Sequence, residues 1–375
     1  MKKVVITGGS GLLGRHASIR LHAVNCAENF AGRAQPYQIE SLTHDDFQKK
    51  SRLIEAVDKA DIVLHFAGVN RGNSDEIERL NPEIANNLVS ACREANADPH
   101  IVYANSTHYS SETIYGRSKR HAHEILSSFS TKYTNLILPH IFGEGARADY
   151  NNVTATFIDR VIKGKVPEVN AEGRVELLHA GEAIKIALEA ALHDRTGDIR
   201  PNGRQLSVQE LLSLIKSFHN NYSINIYPEL HDSFVVALFN TYRTKLYPEQ
   251  FPKKLKIHSD ERGKLIEAVK GGCSGQTFLS WTEPDVTRGD HFHLNKIERF
   301  LVLDGEAIIR IRPVLEDQIW EYKVSGDQPS IIDMPTLHTH SIQNIGEKPL
   351  LTLFWTNEIF DPNNPDTYAD TVLKG

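Results

Sequence analysis

Tyr115 and Lys119 stand four residues apart in Tyr-Gly-Arg-Ser-Lys, and a helix would set both on one face. An ammonium beside a phenol stabilises the phenolate. The pair is therefore expected to lower the Tyr115 pKa and make it a proton-transfer group. Ser106, with Thr107 beside it, precedes Tyr115 by nine residues. A strand ending near 104 would bring these hydroxyls to the carboxyl edge of a sheet, where open α/β sheets bind ligands. Gly8, Gly11 and Gly14 form Gly-x-x-Gly-x-x-Gly directly after Val4-Val-Ile-Thr. Glycines there permit a tight turn close to a pyrophosphate, and a following helix offers unpaired N–H groups. Either motif alone is weak. A Tyr-x-x-x-Lys is most often a solvated helix face, and glycine turns after strands are common.

A second constellation lies in the last third of the chain. His291 and His293, at i and i+2 of a strand, point to one face. Glu298 adds a carboxylate and His340 a third imidazole. Three histidines and a glutamate suit zinc, iron, manganese or nickel, and a four-ligand N/O set favours zinc. The alternative is a set of histidine bases without metal. Lys296, between the ligands, reads as an acid/base group or, more simply, as a solvated loop lysine. His338 can share the face of His340.

These residues need a scaffold. A chain of 375 residues is long enough for two or three domains. Strand patterns at 3–7, 37–42, 61–66, 100–104 and 134–138 alternate with helical patterns at 12–21, 84–95 and 115–128. That alternation predicts a Rossmann-like, doubly wound parallel sheet; the stretch 25–43 is expected to hold an insertion before the strand near 37–42. Residues 247–256 carry two prolines and three lysines and read as a linker. Beyond it, short strands follow one another with turn signals. Residues 300–303, Asp304-Gly305 and 306–311 read as a hairpin with a type I′ turn. Further strands are expected at 318–324, 329–333, 340–344 and 350–355, an all-β jelly roll. The expected domains are 1–246, a linker at 247–256, and 257–375.

The net charge of −6 argues against nucleic acid or a basic membrane-surface role. No apolar run reaches the roughly 18–20 residues of a membrane span, and the first nine residues read as strand and turn, not as a signal peptide. Cys26, Cys92 and Cys273 lie far apart, which excludes a disulfide framework and points to a reducing, cytoplasmic setting.

The N-terminal motifs resemble an extended short-chain dehydrogenase/reductase. Thr7-Gly-Gly-Ser-Gly-Leu-Leu-Gly14 is similar to that family's cofactor loop, and Asp61-Ile-Val-Leu-His-Phe-Ala-Gly68 to its third-strand motif. The resemblance implies that Gly8, Gly11, Leu12, Leu13, Gly14, Ala67, Gly68 and Lys119 bind the cofactor. It implies a catalytic set of Ser106, Tyr115 and Lys119, with Tyr115 protonating an alkoxide. His140 stands where many members have asparagine, and the usual arginine before it is absent. Arg33 or the Thr43–Asp45 stretch is expected to choose between NADPH and NADH. The spacing from His291 to Gly305 resembles the first cupin motif. Residues 335–344 resemble the second, with Leu337 in place of glycine.

The fusion resembles the bifunctional capsular-polysaccharide enzymes of the CapF/WbjC type. This implies a UDP-activated 4-keto-6-deoxy amino sugar as substrate and a homodimer. The cupin would epimerise C3, and the reductase would then reduce the C4 ketone with NADPH, NADH being the alternative, to a talose derivative. Chemistry gives the same order, because the C3 proton is acidic only while C4 is a ketone. The competing readings are a single-activity reductase with a structural, metal-bearing cupin, and a non-enzymatic sugar-nucleotide sensor. Asn151, Asn152 and Arg174 are weak candidates for substrate contacts.

Overall fold

The computed structural model describes every residue except 171, 262, 273, 274 and 375. Cys273, noted above, therefore lies outside the described residues. Two compact units divide the chain: Met1–Phe157 with Glu168–Gln209, and Ile158–Pro167 with Glu210–Gly375.

The first unit holds six parallel strands in the order Tyr37–Leu42, Lys2–Thr7, Ile62–His65, His100–Ser106, Tyr133–Leu138, Gly197–Ile199. The first strand of the chain has its successor on one side and the third strand on the other. That reversal opens a crevice at its carboxyl end. The central strands are buried on both faces, which explains their unbroken apolar runs. Val5, Val63, Ile101 and Tyr103 pack with Leu88, Cys92 and Leu126. Val4, Ile6, Leu64 and Val102 pack with Ala17, Leu21, Ile184 and Leu188.

Two helices are longer than expected. Leu12–Phe30 runs through the stretch read as an insertion, and Asn25 exchanges hydrogen bonds with the Tyr37 backbone at 2.8 and 3.1 Å. Ser74–Glu94 begins well before residue 84, at a capping box between Asn73 and Glu76, and contains Pro82. The proline and the polar first turns hid the helical pattern there.

The second unit is built on two antiparallel five-stranded sheets. One runs Lys253–Lys254, Ser330–Met334, Glu298–Asp304, Leu350–Thr356, Gln276–Thr282. The other runs Trp320–Ser325, Glu306–Pro313, His338–Asn344, Thr287–Phe292, Tyr368–Ala369. This is the arrangement expected of a cupin. The hairpin expectation fails: Glu298–Asp304 and Glu306–Pro313 lie in different sheets. Of the two turn residues only Gly305 has positive φ, whereas a type I′ turn needs it at both.

Residues 210–246, expected in the reductase domain, fall in this unit. The reason is a buried ion pair. Arg299 grips Asp333 at 2.5 and 2.7 Å, both fully buried. The remaining lone pairs of Asp333 must be satisfied. Tyr222, from the helix Val208–Ser223, donates to its carboxylate, and Tyr247 to its carbonyl at 2.5 Å. No helix among the described residues is long and apolar enough to cross a membrane.

Candidate active site and metal centre

The glycine loop is dictated by sterics. Gly8 has φ +71°, and a Cβ there would lie 2.8 Å from the Ala67 nitrogen. A Cβ on Gly14 would lie 2.2 Å from the Gly8 carbonyl oxygen. Gly11 begins the helix that Leu12 and Leu13 open, with no side-chain cap and no acidic residue in its first turn. Its N-terminal end can therefore receive a pyrophosphate. Ala67 and Gly68 face this loop, Ala67 donating its N–H to Thr7 Oγ1 at 3.2 Å.

Ser106 ends its strand and caps the short helix Thr107–Ser110, accepting from the His108 N–H at 3.2 Å. Tyr115 lies in the first turn of Ile114–Phe129, where Gly116 sits too close to the His108 and Ser111 carbonyls for a side chain. Burial raises the Tyr115 pKa, and the nearby Ser106 hydroxyl opposes the rise. Lys119 does not depress the phenol as expected. Its Nζ donates to the Ala104 carbonyl at 2.6 Å and lies 4.1 Å from the Tyr103 ring centroid. Burial pushes its pKa down to about 7.

Asn81 was not visible as a site residue. Buried, it exchanges bonds with the Val69 backbone, each 2.8 Å, and donates to Ser118 Oγ at 3.0 Å. It thus ties the loop after Gly68 to the residue before Lys119. Its one sequence signal was a polar residue before an in-helix proline. His140 keeps a buried Nε2 with no hydrogen-bond partner among the described residues. Burial lowers its pKa, and His108 adds to the shift. Asn152 caps the Ala155 N–H and bonds the Ile141 carbonyl, and Arg174 is an exposed strand end. Arg33 is paired with Glu28, and Thr43 with Asp46 in a capping box.

Behind the loop lies a cluster unforeseen in the sequence. His179 donates to Glu144 Oε2 at 2.8 Å, and His16 to the Glu144 carbonyl at 2.9 Å. All three are buried. Burial pushes His16 down to about 4. Burial works to raise the Glu144 pKa, but the two histidines outweigh it and hold the carboxyl at about 2.

The four expected metal ligands converge in the second unit. His291 and His340 face each other in register on neighbouring strands. Glu298 opens a strand of the opposite sheet. Its Oε2 lies 3.3 Å from His293 Nε2 and 3.2 Å from His340 Nε2. One ligand atom from each of the four lies within 4.8 Å of all the others. Bonds of about 2.0–2.2 Å to one ion separate its ligands by comparable distances, so the donor set fits a divalent cation.

A C-terminal loop orients this set. The Asp366 carboxylate accepts from the N–H groups of Leu294, Asn295 and Lys296 at 3.0, 2.8 and 2.7 Å. Its carbonyl accepts from His293 Nδ1 at 2.6 Å, leaving Nε2 for the site. Lys296 is not solvated: it is 6% exposed and its Nζ donates to the Pro365 carbonyl at 2.5 Å. His338 donates to the Thr336 carbonyl and stacks on Trp320.

Residues 4–202 match the NAD dependent epimerase/dehydratase family, and residues 258–368 the polysaccharide biosynthesis C-terminal domain. The chain is 30% identical to a UDP-2-acetamido-2,6-beta-L-arabino-hexul-4-ose reductase of Pseudomonas aeruginosa, over the whole of both proteins. The crystal structure of the capsular polysaccharide assembling protein CapF from Staphylococcus aureus is 28% identical. It covers 99% of this chain and 100% of its own, with a TM-score of 0.57. The spore coat polysaccharide biosynthesis protein SpsL of Bacillus subtilis is 27% identical over 30% of this chain and 82% of its own length.

Proposed function

Because the chain belongs to the NAD-dependent epimerase/dehydratase family and, over its full length, to the CapF-type bifunctional polysaccharide enzymes, we propose that it reduces and epimerises a UDP-sugar with NAD(P)H. The observation that carries this is the presence in one chain of a buried Tyr115 phenol under the influence of the Ser106 hydroxyl, of a sterically dictated glycine loop and of a His₃Glu cluster. The finer reading is that the cupin epimerises C3 of a UDP-4-keto-6-deoxy-HexNAc. The reductase domain then reduces C4 to UDP-2-acetamido-2,6-dideoxy-talose, a precursor of UDP-N-acetyl-L-fucosamine for capsule or O-antigen. The enzyme works in the cytoplasm.

In the reductase site Gly8, Gly11, Leu12, Leu13, Gly14, Ala67 and Gly68 cradle NADPH, which supplies the hydride. Tyr115 protonates the oxygen that forms at C4, while Ser106 holds that oxygen by a hydrogen bond. Lys119, positively charged below about pH 7, would favour proton release from the phenol and hold the cofactor ribose. In the cupin His291, His293, Glu298 and His340 hold one divalent ion, zinc by its donor set. When bound, the ion offers Lewis-acid stabilisation to an enolate. Asp366 fixes the ligand loop. Epimerisation precedes reduction because reduction removes the carbonyl that acidifies C3.

A homodimer is part of this reading. Gln276–Thr282 is a sheet edge with exposed Phe278, Leu279 and Trp281, and such an edge is commonly covered by another chain. The deciding experiment is NMR of the products from purified protein, NADPH and a UDP-4-keto-6-deoxy-HexNAc. A 6-deoxy-talose product establishes both activities. Reduction with C3 configuration retained would leave a single-activity reductase with a structural cupin.

A further inference from the structure

Two arginines of the first unit flank one exposed tyrosine. The Arg71 guanidinium lies 5.6 Å from the Tyr150 ring centroid and that of Arg147 lies 6.0 Å from it. Arg71 donates to the Asp149 carbonyl. Neither arginine has a carboxylate partner among the described residues, and both are exposed. Several other surface arginines of this unit are paired: Arg33, Arg52, Arg79, Arg117 and Arg120 each meet a glutamate, and Arg200 meets Asp198. In a chain of net charge −6, two guanidinium groups that face one ring without a carboxylate are suited to an anion.

The pair is placed beside the reacting groups. A Cβ built on Gly68 would lie 3.9 Å from Lys119 Nζ. Asn81 fixes the next residue, Val69, to Ser118. Arg71 follows three residues after Gly68, so its Cα lies within about 11 Å of that glycine. On the other side Asn151 donates to the Asn70 carbonyl at 2.8 Å and Asn152 to the Ile141 carbonyl at 2.9 Å. The 147–152 loop is thereby tied both to the loop after Gly68 and to the strand that carries His140. Two backbones tied to each other thus carry the two cations, one of them in the loop that passes Lys119.

We infer that Arg71 and Arg147 form a clamp for the diphosphate of the nucleotide-sugar, with Tyr150 as the spacer that holds the two guanidinium groups apart. The inference rests on the UDP-sugar reading above and gives it a specific anion site. Planar guanidinium groups match phosphate oxygens bidentately, which lysines in the same place would not do. The alternative anion, the 2′-phosphate of NADPH, belongs at the end of Tyr37–Leu42. That strand lies across Lys2–Thr7 from the strand that leads to Arg71.

Calorimetric titration of UDP, uridine and NADPH into the full-length protein tests this. In Arg71→Ala/Arg147→Ala the UDP affinity should fall about ten- to hundredfold and lose part of its salt dependence. The uridine and NADPH affinities and the circular dichroism should stay as in wild type. Arg71→Lys/Arg147→Lys should restore only part of the loss. UDP affinity unchanged in the double alanine variant would overturn the clamp while leaving the UDP-sugar reading intact. A selective loss of NADPH affinity would reassign the pair to the cofactor and also overturn it. Wild-type protein that fails to bind UDP would overturn the substrate reading and the clamp together.

Discussion

Lys119 is stacked on Tyr103: its ammonium stands 4.1 Å from the ring centroid and donates to the next carbonyl, that of Ala104. Tyr115, one helical turn away, has its pKa raised by burial, with the Ser106 hydroxyl opposing the rise. In the proposed reduction the proton comes from Tyr115. Tyr115→Phe removes the donor with little change in volume, and NADPH oxidation with the keto-sugar should fall at least about a hundredfold. NADPH binding, read by fluorescence, should persist. Near-normal turnover would remove Tyr115 from its role.

The buried lysine gives a pH signature. Its pKa is pushed down from 10.5 to about 7 by burial. If the ammonium is needed in the free enzyme, kcat/KM for reduction declines as pH rises through about 7. A profile flat from pH 6 to 9 would show that the charge on Lys119 is not used.

The two chemistries should separate in D₂O. With keto-sugar and no NADPH, Tyr115→Phe keeps the cupin intact and should exchange the C3 proton, read as a one-dalton gain by mass spectrometry. His293→Ala should exchange slowly yet still consume NADPH. Equal exchange by both variants would mean that the cupin is not the epimerase.

Metal analysis of freshly purified protein should find about one divalent ion per chain, and none in His291→Ala/His340→Ala. Asp366→Ala removes three N–H acceptances that fix the ligand loop. It should weaken retention about ten- to hundredfold, measured by transfer to a chromogenic chelator. A metal-free wild type would favour histidine bases, and unchanged retention in Asp366→Ala would dismiss the orienting role.

Acid should unfold the reductase domain partly through His16. Its folded pKa, about 4, lies below its unfolded value of 6.5. Its stabilising contribution is thus present above pH 6.5 and lost as pH falls toward 4, in all about 3 kcal/mol. His65, pushed to about 3 by burial and Lys119, adds to the same slope, so the difference matters. Urea unfolding of His16→Asn should depend less on pH than wild type between 6.5 and 4. Coincident slopes would be evidence against a neutral, buried His16.

Local signals made much of this legible. A glycine period after a β-branched run, a helix-spaced Tyr–Lys pair and strand-spaced histidines each express a periodicity of the backbone. The structure keeps these groups where that periodicity puts them. Longer-range relations were illegible. Asp304-Gly305 carries turn chemistry, but which sheet the next strand joins depends on tertiary packing. The reach of Tyr222 and Tyr247 to Asp333 is visible only once Arg299 is known to be buried. The role of Asn81 depends on its distance from Val69 and Ser118 in space. Asp366 reads as one more aspartate in a polar stretch, because nothing in the sequence says which loop it will meet.

That last contact has a temporal side. His291, His293, Glu298 and His340 all precede Asp366 in the order of synthesis. A chain that stops short of Asp366 holds all four side chains while His293 is free to exchange its proton between the two ring nitrogens. The tautomer is chosen only when the late segment docks through its carboxylate and carbonyl. A chain cut between His340 and Asp366 therefore keeps every ligand yet lacks the residue that decides which nitrogen faces inward.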